Sequence, residues 1–195
     1  MTPLSPDLLE SLAAEAVREG LADAVYGRVA TPIGRLLVVQ GPAGVLRVAF
    51  PEEREDAVLA EVAAAVGARL LASDRQLEPT RETLSAYLEG ERDDLPVAVD
   101  LRLVHQPFRR RVLDILHAGV PRGEVVTYRT LADRAGNAGA ARAAGSACAR
   151  NPVPLIVPCH RVVPGSGGVG SYGGGPERKK ALLRLEGALP GGTLF

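Results

Sequence analysis

Disulfide frameworks, membrane spans and metal clusters all find little support in this sequence. Its 195 residues include only two cysteines, Cys148 and Cys159, too few for a disulfide-stapled fold. No apolar run reaches the ~18 residues that read as a bilayer span. Residues 1–10 lack the basic start and apolar stretch of a signal peptide. The two cysteines and three histidines show no C-x-x-C or H-x-x-x-H spacing, so no metal is expected. No cofactor is expected, and the glycine-rich stretch 165–175, which lacks the G-K-[ST] ending of a phosphate loop, reads as the wall of a pocket. Internal repeats and long low-complexity linkers are absent as well. A cytoplasmic globular protein without a membrane partner is the expectation. Its 46% hydrophobic and 24% charged residues sit near the globular average. The length suits one large domain or two small ones, with enough chain to bury a core unaided.

The zero net charge conceals a strong asymmetry. Residues 1–100 carry 9 basic and 18 acidic side chains, whereas residues 101–195 carry 14 basic and 5 acidic ones. Two readings fit. Either the basic half meets a polyanion such as nucleic acid, or two oppositely charged lobes attract each other.

Residues 1–24 read as a helical extension, with Ser5 as cap, Pro6 at the first helical position and Leu8, Leu12 and Ala16 at helical spacing. Residues 25–30, 33–40 and 45–50 then read as three antiparallel strands, separated by Thr-Pro-Ile-Gly and Gly-Pro-Ala-Gly turns. Helices are expected over 55–66 and 80–88, each closed by a glycine, and 97–101 suits either a strand or a linker. At about residue 101 the texture changes. Residues 108–118 form an amphipathic helical pattern, and 127–135 and 138–149 are two helices around a Gly136-Asn137 turn. That is the helix-turn-helix pattern. Residues 178–186 read as a closing helix.

Cys159 stands in Pro-Leu-Ile-Val-Pro-Cys-His-Arg-Val-Val (154–163), an apolar stretch that reads as a buried strand. A nucleophilic cysteine needs a lowered pKa or a base to take its proton, and His160 is the adjacent candidate. Neighbours on an extended chain point to opposite faces, so the contact is either direct or bridged by a water. The competing reading is a packed core thiol. Residues 140–149 form a helix of Ala, Gly, Ser and Cys with one cation, Arg142. Such a slim helix can approach a minor groove only ~6 Å wide, or it can pack tightly inside the protein. Tyr172, in the glycine-rich loop, is either an aromatic wall of a pocket or a surface residue.

Taken together, these motifs closely resemble the O6-alkylguanine-DNA alkyltransferase family. The matches are Pro-Cys-His-Arg-Val (158–162), Asn-Pro-Val-Pro (151–154), the Arg142 helix, Gly-Glu-Val-Val-Thr-Tyr (123–128), Gly-Ser-Tyr (170–172) and Leu-Glu-Gly (185–187). They run in order over about 105–187. Residues 25–100 fit more loosely, through Thr-Pro-Ile-Gly (31–34) and Tyr-Leu-Glu-Gly (87–90). The resemblance implies an α+β protein: an RNase H-like amino-terminal domain (25–100), and a mostly helical helix-turn-helix domain (101–195) holding the active site.

It further implies that Cys159 accepts an alkyl group from O6 of guanine irreversibly, with His160 as base through a water and Glu186 orienting the histidine. Tyr128 would help rotate the nucleotide and donate to the leaving base. Arg142 would fill the gap in the duplex, and Asn151 would hold the turn before the active-site segment. Backbone carbonyls of Cys159 and Val162 would accept from the base, and Gly173 would donate its N–H to O6. Ala143, Gly145, Cys148, Arg161, Val169, Tyr172 and Gly174 join the substrate- and DNA-binding set. The implied partner is double-stranded DNA carrying O6-alkylguanine, bound through the minor groove by a monomer, with cooperative assembly left open. Two departures stand out: Gly173 replaces a frequent Ser, and Cys148 replaces a larger apolar residue. A non-enzymatic lesion sensor of the same fold and an unrelated cysteine hydrolase are the alternative functions.

Overall fold

The computed structural model describes residues 5–189. Residues 1–4 of the expected extension lie outside them, as do residues 190–195. The backbone divides into two compact units, one running to Ser85 and including Pro96–Leu103, the other formed by Ala86–Leu95 and the chain from Val104. The boundary expected near residue 101 falls inside the 96–103 segment, and residues 86–95 group with the second unit.

The first unit opens with α1 (Pro6–Arg18). Ser5 Oγ accepts from the Leu8 N–H at 3.3 Å, satisfying one of the unpaired donors of the first turn. Glu10 fastens the helix, accepting from Ser73 Oγ and, at 2.9 Å, from the Asp74 N–H. Three strands, β1 (Ala24–Thr31), β2 (Gly34–Gly41) and β3 (Gly44–Ala49), form the expected antiparallel meander. A fourth strand, β4 (Leu70–Ala72), pairs in parallel with β1, giving the order β3-β2-β1-β4. Three residues are too few for alternation to declare a strand, which is why the sequence pattern does not reveal it. The 97–101 segment runs as a bridge beside β3: Val45 N–H donates to Ala98 at 2.8 Å and Asp100 N–H to Val45 at 2.9 Å. That approach needs Gly44. Its φ is +137°, and a Cβ there would sit 2.5 Å from the Ala98 backbone.

Helix α2 (Glu55–Val66) lays Val58 and Val62 on the sheet against Leu37, Val39, Leu46 and Ala49. Helix α3 (Glu78–Leu88) follows, and its last residues, from Ala86, belong to the second unit.

The second unit is mostly helical. Helix α4 (Pro107–Gly119) buries Val112, Leu113 and Leu116, and packs with α5 (Tyr128–Arg134) and α6 (Ala141–Ala149). The short link between α5 and α6 gives the helix-turn-helix. A two-residue strand β5 (Val126–Thr127) pairs in parallel with β6 (Val162–Val163), and α7 (Pro176–Leu185) closes the unit.

The expected buried strand at 154–163 is a correction. Residues 159–161 form a 3-10 turn, and only Val162–Val163 are extended in a ladder. Pro152, Pro154 and Pro158 have no N–H to offer a neighbouring strand. The segment bonds to itself instead, Val157 N–H to Val153 at 2.9 Å and Arg161 N–H to Pro158 at 3.0 Å.

Leu46 is 1% exposed at the centre of the first core. Leu46→Ala removes that packing without an alternative partner, and stability falls by about 2–5 kcal/mol. The drop in urea midpoint measures it; a midpoint within error of wild type contradicts this account of the core.

Candidate active site

The β5–β6 ladder brings two distant segments together. Val126 pairs with Val162 and Thr127 with Val163, so the residue after β5 and the residues before β6 meet. The former is Tyr128, the first residue of α5, where Thr127 Oγ1 caps the helix by accepting from the Thr130 N–H at 3.1 Å. The latter are Cys159, His160 and Arg161. A cavity of about 130 Å³ opens here, lined by Tyr128, Gly145, Cys148, Ala149, Cys159, Ser171, Tyr172 and Gly173.

Asn151 stands between α6 and the cysteine turn. Its N–H donates to the Cys148 carbonyl at 3.3 Å, and its Oδ1 accepts from Val153 at 3.0 Å. Its Nδ2 donates to the Val157 carbonyl at 2.8 Å and to Cys159 Sγ at 3.1 Å. One side chain thus holds the helix end, the proline-rich segment and the sulfur.

His160 is fully buried, and its Nε2 lies 2.6 Å from Glu186 Oε1. Glu186, at the end of α7, also accepts from Arg161 Nε at 2.8 Å and Arg161 Nη2 at 3.1 Å, and from the Tyr87 hydroxyl. Burial pushes this carboxyl up, but the His160 and Arg161 interactions outweigh it and hold it at about 2. It is therefore a carboxylate at neutral pH. The other imidazole nitrogen, His160 Nδ1, has no hydrogen-bond partner among the described residues. Tyr172 meets the imidazole edge-on, ring centroids 6.3 Å apart, so it forms a half-buried wall of the cavity.

Burial pushes the Cys159 thiol up to about 11, against the opposing pull of the Asn151 amide and the Lys179 ammonium. Lys179 is itself fully buried in α7, donating to the Val162 carbonyl at 2.6 Å and the Ser171 carbonyl at 3.3 Å. Burial pushes its own pKa down, and the two thiols counter this. Burial, then Cys159, drives the Cys148 thiol well above its ordinary range. Burial likewise raises the Tyr128 phenol, so both stay protonated at neutral pH.

Helix α6 carries features of both readings given above. Ala144, Ala147 and Cys148 are buried on one face, while Arg142 and Ala143 are exposed at its first turn. Arg142 has no ion-pair or hydrogen-bond partner among the described residues.

Of the residues expected at the site, Tyr128, Gly145, Cys148, Cys159, Tyr172 and Gly173 share the cavity. Asn151, His160 and Glu186 stand behind it. Val169 is half-buried and Gly174 buried in the loop, neither lining the cavity. Val162 is buried, and its carbonyl already accepts from Lys179. Arg161 is a correction to the expected DNA-contact set. Its guanidinium turns inward to Glu186, the Val120 carbonyl at 2.5 Å and the Tyr87 hydroxyl at 3.2 Å, because a buried carboxylate needs a paired charge.

Lys179 and Tyr87 were missed. Lys179 does leave a signal: it sits at the i position of an i, i+3, i+4, i+7 set with Leu182, Leu183 and Glu186, the buried face of a helix. A cation on such a face needs a reason.

The unit that holds the helix-turn-helix thus also holds a buried cysteine facing a cavity, with a histidine–carboxylate couple behind it. Comparison with known proteins gives the family. The family model for the DNA-binding domain of 6-O-methylguanine DNA methyltransferase matches residues 107–188. A methylated-DNA–protein-cysteine methyltransferase of Mycobacterium tuberculosis is 47% identical over 105 residues, covering 54% of this chain and 62% of that protein. The human protein of that name is 52% identical over 82 residues, 42% of this chain and 40% of the relative. These sequence alignments thus span less than two thirds of the curated relatives. The crystal structure of Mycobacterium tuberculosis O6-methylguanine methyltransferase superposes with a TM-score of 0.73 at 32% identity, over 88% of this chain and 97% of that one. That of Mycobacterium tuberculosis OGT in complex with DNA gives 0.71 at 33%, over 84% and 93%. The chain belongs to the methylated-DNA–protein-cysteine methyltransferase family.

Lys179→Met keeps the stem and deletes the cation, so the Cys159 thiolate loses a favourable charge and its pKa rises. Each unit costs roughly tenfold in thiolate at fixed pH. Iodoacetamide labelling of Cys159 at pH 8, read by peptide mapping, is expected to slow by about that factor. Unchanged labelling removes Lys179 from the thiol's electrostatics.

Proposed function

We propose that this protein repairs DNA by transferring an alkyl group from O6 of guanine to its own Cys159, once per molecule. The observation that carries this reading is the placement of Cys159 Sγ in a cavity shared with Tyr128, with the His160–Glu186 couple behind it.

The chemistry follows from the protonation states. A thiol near 11 is protonated at neutral pH, so the thiolate must be made during the reaction. His160 takes the proton through a bridging water at Nδ1, while Glu186 accepts at Nε2 and stabilises the imidazolium. The sulfur lone pair then attacks the alkyl carbon, the carbon–O6 bond breaks, and its electrons leave on the guanine. The base takes up a proton from the neutral Tyr128 phenol, which regains one from solvent as the His160 imidazolium gives up the proton it took from the thiol, and the Gly173 N–H bonds to O6. The product is a thioether on Cys159 and unmodified guanine. No step regenerates the thiol.

The cavity admits a base, not a stacked pair, so the nucleotide must rotate out of the duplex. Flipping costs a few kcal/mol, less for a damaged pair. The slim exposed turn of α6 enters the minor groove, and Arg142 occupies the space the base leaves. The basic residues 101–195 supply the phosphate contacts. O4-alkylthymine is a second candidate substrate, and the working compartment is the cytoplasm. Among the described residues no helix is long and apolar enough to cross a membrane, and no group of three His, Cys, Asp or Glu side chains could hold a metal ion.

Mixing the protein with O6-methylguanine DNA is expected to add the mass of one CH2 per chain, mapped to the Cys159 peptide and absent in Cys159→Ser. Modification at Cys148, or repeated turnover, contradicts the reading; DNA binding without any mass change marks a lesion sensor instead.

Arg142→Ala is expected to slow repair of duplex DNA by tenfold or more while leaving reaction with free O6-benzylguanine near wild type. The free base needs no flipping. Equal losses on both substrates refute the arginine's role.

A further inference from the structure

The mechanism above uses His160 and Glu186 but leaves one polar group of the buried network without a task. Tyr87 is 0% exposed, at the end of α3 and within the second unit. A phenylalanine would fill that space without a hydroxyl to satisfy, so the oxygen calls for its own account. Its proton goes to Glu186 Oε1, and it accepts from Arg161 Nη2 at 3.2 Å. The same Oε1 takes His160 Nε2 at 2.6 Å and Arg161 Nη2 at 3.1 Å. Three donors thus compete for one carboxylate oxygen, which has two lone pairs to give.

The hydroxyl is held in place from behind. The Arg122 guanidinium lies 5.3 Å from the Tyr87 ring centroid, a cation–π distance. Arg122 also donates to the carbonyls of Arg92 at 2.8 Å and Leu185 at 2.7 Å. Leu185 is the residue before Glu186, so one guanidinium fixes both the ring and the chain that carries the carboxylate. Tyr87 does not line the thiol cavity. It lines a separate groove of about 500 Å³ with Arg122 and Arg161, and therefore meets no reacting atom.

We propose that the Tyr87 hydroxyl is a positioning group for the proton-accepting couple: it occupies Glu186 Oε1 beside His160, fixing the carboxylate and limiting its pull on the imidazole. This rests on the alkyl-transfer reading only where the effect is measured as transfer. Without the hydroxyl, Oε1 has one donor fewer and becomes a stronger acceptor for His160 Nε2–H. The remaining charged and titratable neighbours are Arg161 beside Glu186, Arg122 on Tyr87, Cys159 and Tyr172 beside His160, and Lys179 near the thiol. Tyr87→Phe keeps every one of these charges, and besides the bond to Glu186 it removes only the one the hydroxyl accepts from Arg161 Nη2. The phenol is itself pushed upward, by burial first and then by Glu186, so it stays a donor throughout the working range.

The test compares the full-length wild type with Tyr87→Phe, which deletes only the oxygen, and Tyr87→Leu, which also deletes the ring. The His160 Cε1–H resonance, assigned with His160→Gln, is titrated by NMR, and the rate of methyl transfer is followed against pH. In Tyr87→Phe the His160 midpoint and the acid limb of the rate profile are both expected to move up by about half to one unit. Tyr87→Leu is expected to add a loss of thermal stability. A Tyr87→Phe protein with the wild-type titration and acid limb, altered only in melting temperature, overturns the proposal. If Tyr87→Phe does not fold, Arg122→Met loosens the ring while keeping the hydroxyl; a smaller upward shift supports the proposal and an unmoved midpoint refutes it. A shifted His160 titration in a protein whose wild type never alkylates Cys159 rejects the repair reading and leaves the role of Tyr87 standing.

Discussion

The Glu186 carboxylate has no exposed side-chain surface and still carries a charge, because donors from two other chain segments converge on it. Taking a lone carboxylate out of water costs several kcal/mol. A hydrogen bond to a charged group returns about 1.5–3 kcal/mol, so no single partner would hold it ionised. His160 and Arg161 come from the cysteine turn, Tyr87 from the end of α3, and Glu186 itself from the end of α7. Satisfying one carboxylate therefore fixes the orientation of the imidazole and the position of the cysteine beside it. The proposed catalytic arrangement and the local fold share the same bonds.

The thiol illustrates the opposing demand. The cysteine is buried beside its cavity, and burial raises the Cys159 pKa. The protein answers with an amide and a buried ammonium around the sulfur rather than with an exposed cysteine. Lys179 reaches this position because α7 carries it on the same face as Leu182, Leu183 and Glu186. Its ammonium is held by carbonyl oxygens rather than a carboxylate, so its charge is not cancelled by an ion pair.

Much of this was legible in the residues. The β1–β3 meander follows from β-rich runs broken by glycine turns. The helix pair α5 and α6 follows from its spacing, and the site from the Pro-Cys-His-Arg-Val motif with Glu186 behind it. What escaped is long-range. Strand β4 is three residues whose pairing with β1 depends on tertiary placement. The 3-10 turn at Cys159 replaces the expected strand because three prolines withhold donors. Arg161 stands with the DNA-binding set until the buried carboxylate beside it is known, and Tyr87 enters only through the Tyr-Leu-Glu-Gly match. Residue type and spacing announce a nucleophile more readily than the partners that orient it.

Leu155 adopts φ +74°, the sole positive φ at a non-glycine residue among those described, with its side chain 1% exposed. A left-handed L-residue costs roughly 1–2 kcal/mol, and here apolar burial offsets it. Between Pro154 and Pro158, this short segment has few backbone conformations left to sample. The conformational entropy of presenting the thiol is thus lost when the protein folds, not when a nucleotide arrives. Under the single-use reaction proposed above, a chain has no later cycles over which to average slow rearrangements, so readiness at first encounter governs its usefulness.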